Sequence, residues 1–376
     1  MHRAWDYLVV TASHAAQASA YEAQLRLRQE LGLLPRVREA LVMADPGGRR
    51  VGSGGSTVYC LMEVFNRERD RGHSGTVEEL LRGLRLLILH AGGDSRRLPA
   101  YGPCGKIFIP VPGETHSALG STLFDRVAPG FLALPPAAGA AGQVVVASGD
   151  ALLLFDASAV QFQAAGMTAL GCLATPEEAA RHGVFCLARD GTVRLFLQKP
   201  SLAEQTARGA IDRYGQTVLD VGVMSLDASA AAALLKACGT VPDAAGKLVW
   251  TDWMQTAIFE RGLDLYREIC CAMGREADLA HYLRAARSSG STWEPEALAQ
   301  LFAGLRGIPF QVQVLARCGF LHFGATSELV SSGQALIRHD TGAAPASGRV
   351  SVNSEVTEGG AVSESDSWVE GCRVAA

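Results

Sequence analysis

Short apolar runs alternate with longer stretches of helical spacing along most of the chain. Trp5 to Thr11 reads as a first strand centred on Tyr7-Leu8-Val9-Val10. Helical spacing follows from Ala15 to Leu31, where Tyr21, Leu25 and Leu27 sit among Glu22, Arg26 and Arg28. Val37 to Ala44 reads as a second strand. It ends in Asp45-Pro46-Gly47-Gly48, a turn because Pro fixes φ and Gly permits positive φ. A helix is expected from Val58 to Arg71 and a short strand from Leu86 to Leu89. The fully apolar Val144 to Ala147 suits a strand covered on both sides.

Beyond it, strands are expected at Met167–Ala174, Val218–Met224 and Gln311–Leu315. His182–Cys186 and Val193–Leu197 form a hairpin whose turn signal is Asp190-Gly191. Helices are expected at Thr122–Leu134, at Ala228–Cys238, from Trp250-Thr251-Asp252 onward, and in the amphipathic stretches Asp278–Arg287 and Trp293–Arg306. Thr326 or Ser327 reads as a helix cap. This alternation predicts an α/β fold, a mixed, mostly parallel sheet with helices on both faces. From Gly348 the character changes. Val350, Val352, Val356, Val362 and Val369 recur among Ser, Glu and Gly with no helical period, as in the coils of a β-solenoid. A solenoid needs several stacked repeats, and only its first coils are present. The expected organisation is a main domain over 1–318, a helical linker over 319–347 and the first coils of a truncated β-helix over 348–376.

With 376 residues, 48% of them hydrophobic and 19% charged, the chain can bury a large core and is not generally disordered. A net charge of -4, with basic residues scattered, gives no reason to expect nucleic-acid binding. The nine cysteines, at 60, 104, 172, 186, 238, 270, 271, 318 and 372, include no CxxC pair. They read as reduced, mostly buried thiols in the cytosol, not a disulfide framework or zinc site. The N-terminus lacks the apolar core and cleavage site of a signal peptide, and no run of 18 apolar residues predicts a membrane span.

The candidate chemistry centres on LLILHAGGDSRRLPAYGPCGKIFIPVP, Leu86 to Pro112. The strand breaks at Gly92-Gly93, where backbone N–H groups are left free and a phosphate can approach closely. Asp94 and Ser95 follow, then Arg96, Arg97 and Lys106, which supply positive charge for a polyphosphate. There is no Gly-Lys-Ser/Thr triplet of a P-loop, and no set of three spaced glycines of the dinucleotide fingerprint. A second glycine-rich stretch, Gly52-Ser53-Gly54-Gly55-Ser56, precedes the expected helix at Val58. Free amides and the helix dipole favour an anion at such a helix start. Val144–Ala147 runs into Ser148-Gly149-Asp150, which sets one carboxylate at the carboxyl edge of the sheet, where open α/β folds bind ligands.

HAGGDSRRLP…GKIFIPVP resembles the signature loop of sugar-1-phosphate nucleotidylyltransferases. It is most similar to the L-fucose-1-phosphate guanylyltransferase (GDP-fucose pyrophosphorylase) family, which includes the N-terminal part of bifunctional fucokinase/GDP-fucose pyrophosphorylases. DPGGRRVGSGGST and FLHFGATSE have near counterparts there too. The resemblance implies a Rossmann-like nucleotidyltransferase domain followed by a left-handed β-helix, and transfer of GMP from GTP to L-fucose-1-phosphate with release of pyrophosphate. It implies Mg²⁺ on Asp150, and Arg97, Lys106 and Asp150 as the catalytic set. Gly52 to Ser56 and Gly92 to Arg96 would meet the nucleotide. His182, Gly183, Lys199 and Asp220 would meet the sugar phosphate, although Val221 stands where relatives carry Thr. Asp252 reads as a helix cap or a ligand contact, and His322 as a satisfied core histidine. Small-molecule substrates are implied, with room for a C-terminal kinase domain in a longer parent chain and for a homo-oligomer in the cytoplasm. Two other readings stand beside this one: a pyrophosphorylase for another sugar or base, and a non-catalytic sugar-nucleotide sensor.

Overall fold

The computed structural model describes residues 4–93, 97–102, 105–114, 117–139, 141–343 and 348–375. Its strands, in chain order, are β1 Trp5–Ala12, β2 Val37–Ala44, β3 Arg85–His90, β4 Gln143–Ser148, β5 Ala151–Leu154, β6 Met167–Ala174, β7 Gly183–Leu187, β8 Val193–Gln198 and β9 Thr217–Leu226. They continue with β10 Thr240–Pro242, β11 Leu248–Trp250, β12 Phe310–Leu315, β13 Gly319–His322, β14 Arg349–Val352, β15 Glu355–Val356, β16 Ser367–Glu370 and β17 Arg373–Val374.

One nine-stranded sheet carries the fold, in the order β12-β6-β9-β4-β3-β1-β2, with the β7–β8 hairpin attached to β9. Its pairings are parallel except those of β9 with β4, β6 and β7, and of β7 with β8. The apolar centre of β1 shows why the sheet is covered twice. Tyr7 and Val9 point into one core with helices Gly52–Asp70, Ala228–Ala237 and Pro295–Leu305, while Leu8 and Val10 point into the other with helices Ala15–Glu30 and Leu123–Leu132. A strand buried on both faces needs apolar residues at every position, which is what these runs have. The carboxyl ends of β3 and β4 lie side by side, His90 opposite Ser148. Gly149 fits there because a Cβ would press on the His90 carbonyl oxygen at 2.8 Å.

Three departures from the sequence reading bear on the site. Helix Gly52–Asp70 starts six residues before the expected Val58, so the glycine-rich stretch is its first turn and not a loop ahead of it. Ala151–Leu154 is a strand, and Gly319–His322 pairs antiparallel with it, so the segment expected as a helical linker begins with β13. Helix Thr326–Thr341 then starts after Ala325, with neither Thr326 nor Ser327 at the cap position.

At the C-terminus, β14 pairs in parallel with β16 and β15 with β17. The offset is eighteen residues in both pairs, as in stacked coils. Val350 and Val352 are buried under the helix Thr326–Thr341, where Gly333 leaves room for Trp368. Val356 is exposed. Of the cysteines, six of the eight described are buried, and all eight are unpaired. Among the described residues no helix is long and apolar enough to cross a membrane.

Candidate active site

A cavity of about 530 Å³ opens at the carboxyl edge of the sheet. Six of the residues expected at the site line it: Arg97, Asp150, His182, Gly183, Lys199 and Asp220. They come from four separate stretches of sequence, after β3, after β4, around the β7–β8 hairpin and on β9. Lys106 joins them through Asp150, to which its Nζ donates at 3.1 Å.

Asp150 is gripped from three directions. Ser148 Oγ donates to Oδ1 at 2.7 Å, Lys106 holds Oδ2, and Nε2 of His322 approaches Oδ2 to 3.5 Å. Burial alone would raise its pKa. The His322, Lys106 and Ser148 contacts outweigh that and hold the carboxyl well below the usual carboxylate range, so it stays ionised. Asp220 shows the reverse balance. Burial pushes its carboxyl up to about 7, and one donated hydrogen bond, from the Gly222 amide at 2.9 Å, only partly offsets this. His182 is driven down to about 4 by burial first and then by the neighbouring charges of His322 and Arg181, so its ring is neutral near pH 7.

Backbone geometry shapes the cavity around Gly183 and Lys199. Gly183 has no room for a Cβ, which would collide with Phe196 and crowd Asp220. Lys199 sits at φ 51, uncommon for a residue with a side chain, and its amide donates to the His182 carbonyl at 2.9 Å. Such a conformation costs on the order of 1–3 kcal/mol and persists where the surroundings enforce it, often at a ligand site.

The phosphate cradle is narrower than the sequence suggests. Gly93, at φ 117, has no described residue within 4 Å of where a Cβ would stand. The amide of Gly92 is taken by Thr11 Oγ1 at 3.1 Å. Asp94, Ser95 and Arg96, expected at the nucleotide, lie outside the described residues. The expected anion seat at Gly52, Ser53, Gly54, Gly55 and Ser56 is not open. The Leu263 carbonyl accepts from the amides of Gly54 at 2.8 Å and Gly55 at 3.0 Å, and Ser56 donates to Asp45. Ser53 instead accepts from the Leu265 amide at 2.9 Å and lies 3.3 Å from Asp264. The helix start therefore supports the turn that presents Asp264 to the cavity. Asp252 lines a separate depression and does not enter the site.

Several residues of the cavity escaped the sequence reading. Asp264 and Tyr266 come from the turn after helix Asp252–Arg261, and Phe320, His322 and Glu328 from β13 and the helix after it. Glu328 Oε2 lies 3.0 Å from Nδ1 of His322. The two atoms form no hydrogen bond, and the contact is an ion pair when the ring is protonated. Burial opposes charge on His322, but Asp150 and Glu328 together raise its pKa. His322 is thus a cavity residue between two carboxylates, not the core histidine expected. The usable signal was local: a Cβ on Gly324 would strike the imidazole, so the glycine of His-Phe-Gly makes room for the ring.

Residues 78–374 match the fucose pyrophosphorylase domain family. The chain is 31% identical to a bifunctional fucokinase/GDP-fucose pyrophosphorylase of Arabidopsis thaliana over 59% of this chain and 23% of that protein. It is 26% identical to a fucose-1-phosphate guanylyltransferase of Mus musculus over 86% of this chain and 56% of that one. It thus spans from under a quarter to little over half of these relatives' lengths. Among solved structures, HddC from Yersinia pseudotuberculosis complexed with GMP-PN aligns over 89% of this chain and 100% of that one, at 9% identity and a TM-score of 0.30.

Proposed function

The chain belongs to the fucose pyrophosphorylase family, and we propose that it transfers GMP from GTP to L-fucose-1-phosphate, giving GDP-L-fucose and pyrophosphate. One observation carries this reading: separate segments deliver Arg97, Asp150, Lys199 and Asp220 to a single cavity at the carboxyl edge of the sheet, with Lys106 bonded to Asp150. On this reading a fucokinase domain on a longer parent chain would supply the sugar phosphate, and the stacked coils begin a left-handed β-helix.

The nucleophile is a phosphate oxygen of the substrate. With a second pKa near ~6 it is largely ionised at neutral pH, so no protein nucleophile or strong base is required. The protein's work is to align that oxygen with the α-phosphorus and to balance a crowd of negative charge. Lys199, on its constrained backbone, suits the incoming sugar phosphate, and Asp220 suits a sugar hydroxyl. Arg97 and Lys106 suit the triphosphate and the leaving pyrophosphate.

Magnesium fits this site in one form. Among the described residues no cluster of three or more His, Cys, Asp or Glu side chains forms a protein cage. An ionised Asp150, with Asp264 facing the same cavity, offers the one or two carboxylates that Mg²⁺ takes when phosphates and water complete its shell. When bound there, the ion would neutralise phosphate charge as it builds up on the α-phosphorus and the leaving group.

The test is pyrophosphate release from L-fucose-1-phosphate with GTP, ATP, UTP or CTP, with and without Mg²⁺. Release is expected with GTP and Mg²⁺ alone. Asp150→Asn and Lys106→Ala should each lower kcat by about a hundredfold, the scale of one or two lost charge-assisted bonds. Release with another nucleotide would move the substrate assignment. Near-normal turnover in both variants would overturn the site.

A further inference from the structure

His322 and Glu328 have no part in the reaction as derived so far, yet their geometry is specific. β13 runs antiparallel to β5, His322 opposite Ala151, which brings the histidine beside the residue that ends the β4 turn. The main chain repeats the grip, since the Phe323 amide donates to the Asp150 carbonyl at 2.8 Å. The residue is held at several points. Gly324 leaves space beneath it, Ser332 Oγ donates to the His322 carbonyl at 2.7 Å, Glu328 attracts Nδ1, and Nε2 is left facing Asp150. The side chain remains 21% exposed and lines the cavity. A histidine that only filled space would not hold a carboxylate at each ring nitrogen.

The consequence concerns the Asp150 rotamer. Oδ2 lies between Lys106 on one side and His322 on the other. With His322 removed, the carboxylate is free to swing toward Lys106. A displacement of about 1 Å at a reacting centre can cost on the order of a hundredfold in rate.

We propose that His322, oriented by Glu328, is a positioning residue for the Asp150 carboxylate, and that the segment beyond the nine-stranded sheet thereby completes the reaction centre. The proposal rests on the reading of Asp150 as the carboxylate of that centre. Two further bonds tie the same segment to the site: the amide and hydroxyl of Thr326 donate to the Arg97 carbonyl at 2.9 and 3.3 Å.

The test compares His322→Asn, His322→Gln, Glu328→Gln, Gly324→Ala and Asp150→Asn in the full chain, each checked for an unchanged melting profile. The glutamine amide nitrogen reaches roughly where Nε2 stood, and the asparagine amide does not. His322→Asn should therefore lower kcat by about thirtyfold with the KM for GTP within about threefold, while His322→Gln stays within about fivefold of wild type. Gly324→Ala, which keeps the histidine but displaces its ring, should fall the same way as His322→Asn. Glu328→Gln combined with His322→Asn should be no worse than His322→Asn alone, because Glu328 acts through the ring. A second readout needs no turnover: in ¹⁵N-histidine spectra, Glu328→Gln should shift Nδ1 of His322 and Asp150→Asn should shift Nε2.

These shifts together with the Asn-below-Gln order support the proposal. A ring that responds to neither replacement overturns it, as do equal or wild-type rates for the Asn and Gln variants while Asp150→Asn is impaired. If Asp150→Asn itself turns over normally, the reading of the site fails and the positioning role fails with it.

Discussion

Two glycine-rich stretches open this chain's chemistry, and they do opposite things. Gly52–Gly55 and Gly92-Gly93 both lie between apolar segments and both suit an anion on paper. In the first, the amides of Gly54 and Gly55 are spent on the Leu263 carbonyl, and a Cβ at Gly52 would collide with Leu263 backbone. In the second, Gly93 holds φ 117 with no described residue within 4 Å of where a Cβ would stand. One set of glycines lets two pieces of protein touch, while at Gly93 no described residue fills the space. Glycine marks close approach in both cases, and the sequence does not say whether chain or ligand does the approaching.

The contrast is open to attack from its strongest side first. Gly52→Ala combines positive-φ strain, at φ 78, with a backbone collision, and should lower unfolding stability by about 3 kcal/mol in urea titrations. A small loss of stability with a large loss of GTP affinity would reverse the assignment of the two stretches. Gly93→Ala should do the converse. Its backbone is strained but unobstructed, so stability should fall by only about 1 kcal/mol while kcat/KM for GTP falls about tenfold.

The smallest effect comes from carrying the contrast to the site's two buried aspartates. Asp150 is held ionised by its neighbours, whereas Asp220, titrating at about 7 against 3.8 in an unfolded chain, binds its proton more tightly when folded. That preference stabilises the fold fully below pH 3.8 and is lost as pH rises through about 7. Asp220→Asn, neutral throughout, should therefore melt a few degrees above wild type at pH 8 and level with it near pH 4. Thermal unfolding across that range checks the sign, and a variant less stable at pH 8 would contradict the burial effect.

Much of the site was legible residue by residue. The position of Asp150 followed from an apolar strand running into Gly-Asp, and the hairpin from its Asp-Gly turn, while roles for Lys199 and Gly183 on that hairpin came only from the family resemblance. These are local patterns, in which strand, turn and functional side chain lie within a few positions of one another. Leu263 was not legible as the partner of Gly54 and Gly55, being more than two hundred residues away. Nor was β13, a four-residue strand whose only partner among the described residues, β5, is equally short. Neither has a period long enough to stand out, and each exists as a strand because the other is there.

The sequence by itself determined the doubly covered sheet, since runs such as Val144–Ala147 have no polar face to offer water. It also determined that a carboxylate, Asp150, would stand at the sheet's carboxyl edge, because it follows β4 by two residues. Only the tertiary structure decided which amides stay open and that His322 stands between Glu328 and Asp150. The physical reason is that hydrogen-bond saturation and ion pairing are settled by whatever comes within about 3 Å, and in a fold of this topology that neighbour is often distant in the chain.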